Sequence, residues 1–196
     1  MFPSHDRRGS IGGVTFSKWK GLNIAKSKPV EVANPNTDGQ KTQRARMTAI
    51  VAVYRLIAAL IQVGFKSEAI NKSEYNAFVS ENIIDATYVD GSFVGSITPA
   101  QLKVSKGSIG STPINSVDAV NGNDTLTVNW DNSLAPVGSA STDLAYVGIL
   151  NTVSGEWATA SGAATRADGA MDVDMPETIT TGDVYGCYLF FKSQGS

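Results

Sequence analysis

Thr125-Leu126-Thr127-Val128-Asn129-Trp130-Asp131 alternates apolar and polar residues without a break. A period of two puts Leu126, Val128 and Trp130 on one face of an extended chain and Thr125, Thr127 and Asn129 on the other, as in a strand with one buried side. Asn121-Gly122-Asn123-Asp124, immediately before it, carries the Asn-Gly chemistry of a tight hairpin turn. Outward from this stretch, beginning near Leu102, short apolar runs rich in Val, Thr and aromatics are separated by Gly, Asn, Asp, Ser and Pro. The pattern predicts seven strands, near residues 102–105, 114–120, 125–131, 144–150, 156–160, 170–175 and 184–191. Seven short strands with one inward tryptophan suit an immunoglobulin-like or fibronectin-like β-sandwich over residues 101–196. Cys187 is the one cysteine, so no disulfide accompanies Trp130 and the fibronectin-like variant is the easier fit. The apolar run Val184-Tyr185-Gly186-Cys187-Tyr188-Leu189-Phe190-Phe191 predicts a buried structural thiol.

Upstream, the period changes. Thr37 can cap a helix and Gln40 stands three residues later, the spacing at which two orphan amides are satisfied reciprocally. A helix then runs to about Gly64, with Ile50, Val51, Val53, Tyr54, Leu56, Ile57, Leu60, Ile61 and Val63 covering more than one face, which predicts burial all round. Arg55 falls inside this apolar run, and the run is shorter than a bilayer span prefers, so no membrane span is expected. A second helix is predicted from the Ser73 cap to about Ile84, with Tyr75, Phe78, Val79 and Ile83 at helical spacing. Asp90-Gly91-Ser92 and Thr98-Pro99 read as turns. The expected fold class is thus α+β: an extended basic arm over residues 1–36, a two-helix segment over 37–100, and the sandwich over 101–196.

A net charge of −2 over 196 residues conceals a division. Residues 1–46 carry nine Lys or Arg against three acids, a net +6, while the remaining residues carry seven against fifteen, a net −8. Such asymmetry suits an arm seeking an anionic partner, either nucleic acid or an acidic protein face; the alternative is a solvated terminus. Gly9, Gly12, Gly13 and Gly21 interrupt the apolar groups Ile11, Val14, Phe16, Trp19, Leu22 and Ile24, which predicts extended or looped chain. An arm of this kind has no core of its own and would lay Phe16 and Trp19 on another surface. The first residues lack the apolar stretch of a secretory signal.

Chemistry is sparse. His5 is the sole histidine and lies in the N-terminal tail, which leaves no Cys-His, Ser-His-Asp or histidine-metal arrangement. Gly9-Ser10-Ile11-Gly12-Gly13 lacks both the Gly-x-Gly-x-x-Gly spacing and a Walker lysine, so it does not specify a phosphate loop. Asp172 and Asp174 alternate on one strand face, and Asp118, Asp124 and Asp131 flank turns, without the pattern of a calcium loop. No catalytic residue, cofactor or metal is assigned, and a non-enzymatic role is expected. The candidate partner-binding residues are Phe16, Lys18, Trp19, Lys20, Lys26 and Lys28 on the arm, with Lys41, Arg44 and Arg46 crowding the first turns of the long helix. Bases at a helix start oppose the macrodipole and make sense beside an anion or acidic surface, or as tolerated exposed charges. Lys18-Trp19-Lys20 can hold phosphates while the indole stacks on a base, or can seat the indole in a protein pocket with lysines at the rim. The protein anchor is favoured, because the acidic remainder of the chain offers a complementary surface in a homo-oligomer.

Gly12-Gly13-Val14-Thr15, Trp19-Lys20-Gly21, Lys26-Ser27-Lys28-Pro29, Asn34-Pro35-Asn36-Thr37, Gln40 and Gln43-Arg44-Ala45 form a succession that resembles the opening of an uncharacterised family, common in Bacteroidetes and their phage-derived regions. Thr165-Arg166-Ala167-Asp168-Gly169, Pro176, Gly182-Asp183-Val184-Tyr185 and Tyr188-Leu189-Phe190-Phe191 extend the likeness through the second half. The resemblance implies a phage structural protein of capsid or tail, assembled in the bacterial cytoplasm into the virion, with copies of itself and other virion proteins as partners and possible genome contact through the arm. Alternatives are a nucleic-acid-binding capsid-type protein and a surface adhesion module using the sandwich loops. Relatives continue through a Ser-rich final strand, so the resemblance leaves the last strand short at Ser196.

Overall fold

A computed structural model describes residues 8–29, 31, 34–133 and 136–194; His5 lies outside them. The chain is α+β and divides into two compact units, Met1–Thr37 and Asp38–Ser196.

In the first unit, the expected extended arm is paired rather than open. Strands β1 (Gly9–Ile11), β2 (Val14–Trp19) and β3 (Leu22–Ser27) form an antiparallel meander in that order. The glycines that punctuate the sequence mark its turns. Lys20 and Gly21 both adopt positive φ, 47° and 85°, the type I′ geometry whose twist matches flanking strands. Register pairs Trp19 with Leu22, Phe16 with Ala25 and Ile11 with Val14. Alternation then puts Ile11, Val14 and Phe16 on one face and Trp19, Leu22 and Ile24 on the other.

The second unit is layered. Helix α1 (Asp38–Gly64) and helix α2 (Glu74–Asn82) pack together through Tyr54 against Tyr75 and Phe65 against Phe78, with ring centroids 4.8 and 5.8 Å apart. The Ser73 cap is formed, its Oγ accepting from the Asn76 amide at 3.2 Å. After α2 comes a short hairpin that sequence patterning read only as turns: β4 (Thr87–Val89) and β5 (Gly95–Ile97), held by the Asp90 carboxylate, which accepts from the Ser92 and Val94 amides. Six strands follow: β6 (Ile114–Ala119), β7 (Thr125–Trp130), β8 (Leu144–Asn151), β9 (Trp157–Thr165), β10 (Ala170–Asp174) and β11 (Tyr185–Lys192). They make two antiparallel sheets, β6-β7-β10 and β9-β8-β11.

Leu126, Val128 and Trp130 are buried as their alternation requires, in a core shared with Ala145, Val147 and Ile149 of β8 and Met171 and Val173 of β10. The opposite face of the β9-β8-β11 sheet is also covered. Tyr146 stacks with Phe190 and Trp157 with Tyr188, centroids 5.2 and 5.5 Å apart, and these rings pack with Ile57, Leu60 and Ile61 of α1. Between the stacks, Gly148 lets the helix approach: a Cβ there would lie 2.8 Å from Leu60 Cδ2. The strand β8 is therefore the centre of three layers, helix, sheet and sheet.

Two expectations are corrected. Residues 102–105 are not a strand. Leu102 and Val104 are buried with the helices, and the Asn82 amide pairs with the backbone of Lys103 on both sides, accepting from its N–H at 2.8 Å and donating to its carbonyl at 2.9 Å. A buried side chain thus replaces a strand neighbour. Nor is α1 buried all round: Ile50, Val53, Ile57, Leu60 and Ile61 are buried, while Leu56 and Met47 are exposed. The helix is an outer layer of its unit: Thr48, Ala52, Arg55, Leu56, Ala59 and Gln62 are exposed along one side.

Candidate functional site

Among the described residues no group of His, Cys, Asp or Glu is placed to hold a metal ion. The sequence-predicted residues fall on two separate pieces of surface.

On the N-terminal meander, Phe16 and Trp19 lie on opposite faces, so one flat partner cannot take both. Lys18 shares the face of Phe16 and Lys26 that of Trp19; Lys20 sits in the turn, and Lys28 donates its amide to the Gly13 carbonyl at 2.7 Å. The Lys20 ammonium lies 5.0 Å from the Trp19 ring centroid, a cation–π contact that keeps the positive charge at the aromatic tip. Ile11, Trp19 and Leu22 are 70%, 60% and 65% exposed. Both faces of this small sheet are therefore apolar and open, with lysines interleaved.

Lys41, Arg44 and Arg46 belong to the second unit. Lys41 pairs with Asp38 at 3.0 Å and lies 4.8 Å from the Phe93 ring centroid. Arg46 donates to the Ile83 and Ile84 carbonyls at 3.2 and 3.1 Å, just past the end of α2, where a cation complements the helix dipole. These two bases tie the start of α1 to its neighbours. The Arg44 carbonyl accepts from Thr48 Oγ1.

Three features had little or no signal in the sequence. The first is the exposed side of α1 around Leu56, where Ala52 and Ala59 flank it at helical spacing beside Arg55 and Gln62; Met47, nine residues earlier, lies on the other side of the helix. The second is Arg166, buried at the end of the sheets. Its Nε lies 3.5 Å from the Asp143 carboxylate, its guanidinium donates to Thr112 Oγ1, and it stacks 3.8 Å from the Phe191 ring centroid. The third is a cleft of about 580 Å³ beside β11, bordered by Val63, Lys66, Ile109, Leu189, Phe191 and Lys192. Burial pushes the Cys187 thiol up to about 11 and the Tyr188 hydroxyl up to about 12, which keeps both protonated and leaves Cys187 a poor nucleophile.

The outer face of β6-β7-β10 is the chemical opposite of the meander. Asp174 and Asp172 accept from Thr125 and Thr127, and Asp118 accepts from Asn129, in a polar, acidic ladder. By unit, residues 1–37 carry six bases against two acids and residues 38–196 carry ten against sixteen, a net +4 and −6. The motifs of the meander and of the last strands lie within residues 6–196, the span that matches the model of a single family. The chain belongs to a family of unknown function, DUF6266. Membership covers both units together, so the basic meander is as much part of the family's plan as the layered unit is. No curated protein and no solved structure matches the chain.

Proposed function

We propose that the chain is a structural subunit of a phage particle, in capsid or tail, that assembles with copies of itself through its N-terminal meander and the open face of α1. The observation that carries this reading is the meander: Ile11, Val14, Trp19 and Leu22 are exposed on a three-stranded sheet. Isolated sheets of this size are marginal in water, and apolar side chains left open on both faces need a partner to cover them. The +4 and −6 charges of the two units make a second copy electrostatically suitable. Leu56 extends the apolar supply onto the helix layer. The finer fold reading belongs here too. With β6, β7 and β10 in one sheet and β9, β8 and β11 in the other, the strand order suits an immunoglobulin-type sandwich.

Light scattering after size exclusion, at several salt concentrations, tests assembly. The full chain is expected to form a defined oligomer that loosens as salt rises, and deletion of residues 8–29 is expected to give monomer. A strict monomer with and without those residues overturns the reading. A second role, genome contact, is supported by Lys20 and Lys26 on the side of Trp19, with Lys18 on the opposite face of the same sheet. It requires DNA binding whose salt dependence falls by about one unit of slope per lysine removed.

A further inference from the structure

We infer that the cleft along β11 is an acceptor site for an extended, acid-bearing peptide segment of another protein, which adds to the β9-β8-β11 sheet as a further strand. Among the described residues β11 is an edge strand, paired only with β8. In an antiparallel ladder, alternate residues point their N–H and C=O toward the partner and the others away. The Thr152 amide bonds the Val184 carbonyl at 2.8 Å, and continuing that register assigns the even-numbered residues of β11 to β8. Tyr185, Cys187, Leu189 and Phe191 consequently direct their backbone groups outward, and none of those groups has a hydrogen-bond partner among the described residues.

The sandwich is asymmetric in how it closes. At one side β9 and β10 approach each other directly. At the other, β11 and β6 are parted by an irregular run through residues 102–113, which leaves the 580 Å³ cleft beside residues 189–193 and a further space of about 370 Å³ beside residues 187–189. Unpaired edges are usually blunted by a charge, a bulge or a covering element; here the run 102–113 stands off the edge and leaves open volume between itself and β11.

Side chains choose the occupant. The odd residues of β11 face the core between the sheets, so an added strand meets Leu189, Phe191 and Ile109 on that side. The even residues face α1, and on that side stand Lys192 and Lys66. Neither ammonium has an ion-pair partner among the described residues, in a unit whose net charge is −6. Lys106, also at the cleft, is already held by Glu81 at 2.6 Å and Glu68 at 3.7 Å. A strand alternating apolar and carboxylate side chains satisfies both walls and the open edge together, the recognition mode in which backbone bonds give affinity and alternate side chains give specificity.

Amide-resolved hydrogen exchange on the full chain tests this, with an end-blocked nine-residue peptide of alternating Val and Asp as probe and a Val-Lys peptide as control. Exchange at Tyr185, Cys187, Leu189 and Phe191 is expected to be fast in the free protein and to slow saturably with the Val-Asp peptide alone. The double variant Lys66→Glu, Lys192→Glu is expected to lower its affinity at least tenfold and to bring the Val-Lys peptide in. The site is overturned if those amides are already protected in dilute protein, if protection rises with protein concentration and so assigns the edge to a second copy, or if the two peptides act alike. The outcome is independent of whether the meander drives assembly.

Discussion

The two units spend apolar side chains in opposite ways. In β7, alternation sends Leu126, Val128 and Trp130 into one core and leaves Thr125, Thr127 and Asn129 to hydrogen-bond with a row of aspartates and a serine. In β2 and β3 the same alternation sends Phe16 to one side and Trp19 and Leu22 to the other, with no second layer in the unit to receive either. A strand pattern thus guarantees two faces but not two neighbours. β8 is covered on both faces because a sheet and a helix lie on either side; the meander's covering has to come from outside its own three strands.

Tryptophan provides the sharpest contrast, between Trp19 at the end of β2 and Trp130 at the end of β7. Trp130 is buried, packs edge-on to Phe191 at 5.6 Å and donates its indole N–H to the Arg166 carbonyl at 2.9 Å. Trp130→Ala is expected to destabilise Asp38–Ser196 by about 3–5 kcal/mol, from the cavity and the orphaned carbonyl together. Urea denaturation followed by far-ultraviolet circular dichroism reads it, and a loss below about 1 kcal/mol would falsify the assignment of Trp130 to the core.

Next in size is the buried pair. Arg166→Leu leaves the Asp143 carboxylate, which accepts from the Ala140 amide at 2.8 Å, without its cation in a buried site. A loss of about 3 kcal/mol is expected, whereas Arg166→Leu with Asp143→Leu recovers part of it because no charge is then stranded. A cycle over the four proteins measures the coupling, and strict additivity would show that the pair does not act as one. Smaller again is Gly148→Ala. Its methyl group meets Leu60 Cδ2, the end of a buried side chain that must repack, with an expected cost of about 1 kcal/mol and a matching drop in the thermal midpoint. Leu60→Ala in the same chain should relieve part of the clash.

Acid acts through the turns of the layered unit. Asp168 accepts from the Thr165 amide and hydroxyl, and Asp183 accepts from the Thr180 amide and the Tyr185 hydroxyl; these bonds hold both carboxyls below their usual range. A depressed folded-state value means the stabilisation is complete above the unfolded carboxyl's titration, near pH 4, and is lost as pH falls through the folded value. Asp168→Asn is expected to flatten part of the stability profile below roughly pH 5. An unchanged profile in that variant would remove Asp168 from the account.

Sequence reading found the β7 alternation, the Ser73 cap and six of the strands that build the two sheets, because each of those signals is local. It missed what depends on long-range company. Leu102 and Val104 have strand-like spacing, but the backbone of Lys103 between them pairs with the Asn82 side chain, 21 residues away. Leu56 is apolar on an apolar helix, and its exposure follows from α1 being an outer layer. Gly12, Gly13 and Gly21 were legible as interruptions, yet whether an interrupted chain loops or pairs turns on register, which Trp19–Leu22 pairing settles. The β11 cleft depends on residues from four separate stretches, and no single stretch announces it.

Trp19→Ala is the counterpart of Trp130→Ala, and its expected effect on the folding of Asp38–Ser196 is the smallest of all, within about 0.5 kcal/mol, because a side chain 60% exposed in the other unit gives that core little to lose. Its effect on assembly should be large. If the indole anchors the meander to another copy, truncation removes a central aromatic from the interface and is expected to weaken association by about 2 kcal/mol, some thirtyfold, visible as dissociation by light scattering at protein concentrations where the parent chain stays assembled. Lys20→Ala separates the two components of that anchor, since it leaves the indole in place and removes the charge lying over its ring. A weaker, salt-sensitive loss would assign Lys20 to the polar rim. If neither substitution shifts association while urea midpoints also stay fixed, Trp19 anchors no second copy, and the contrast between Trp19 and Trp130 reduces to burial alone.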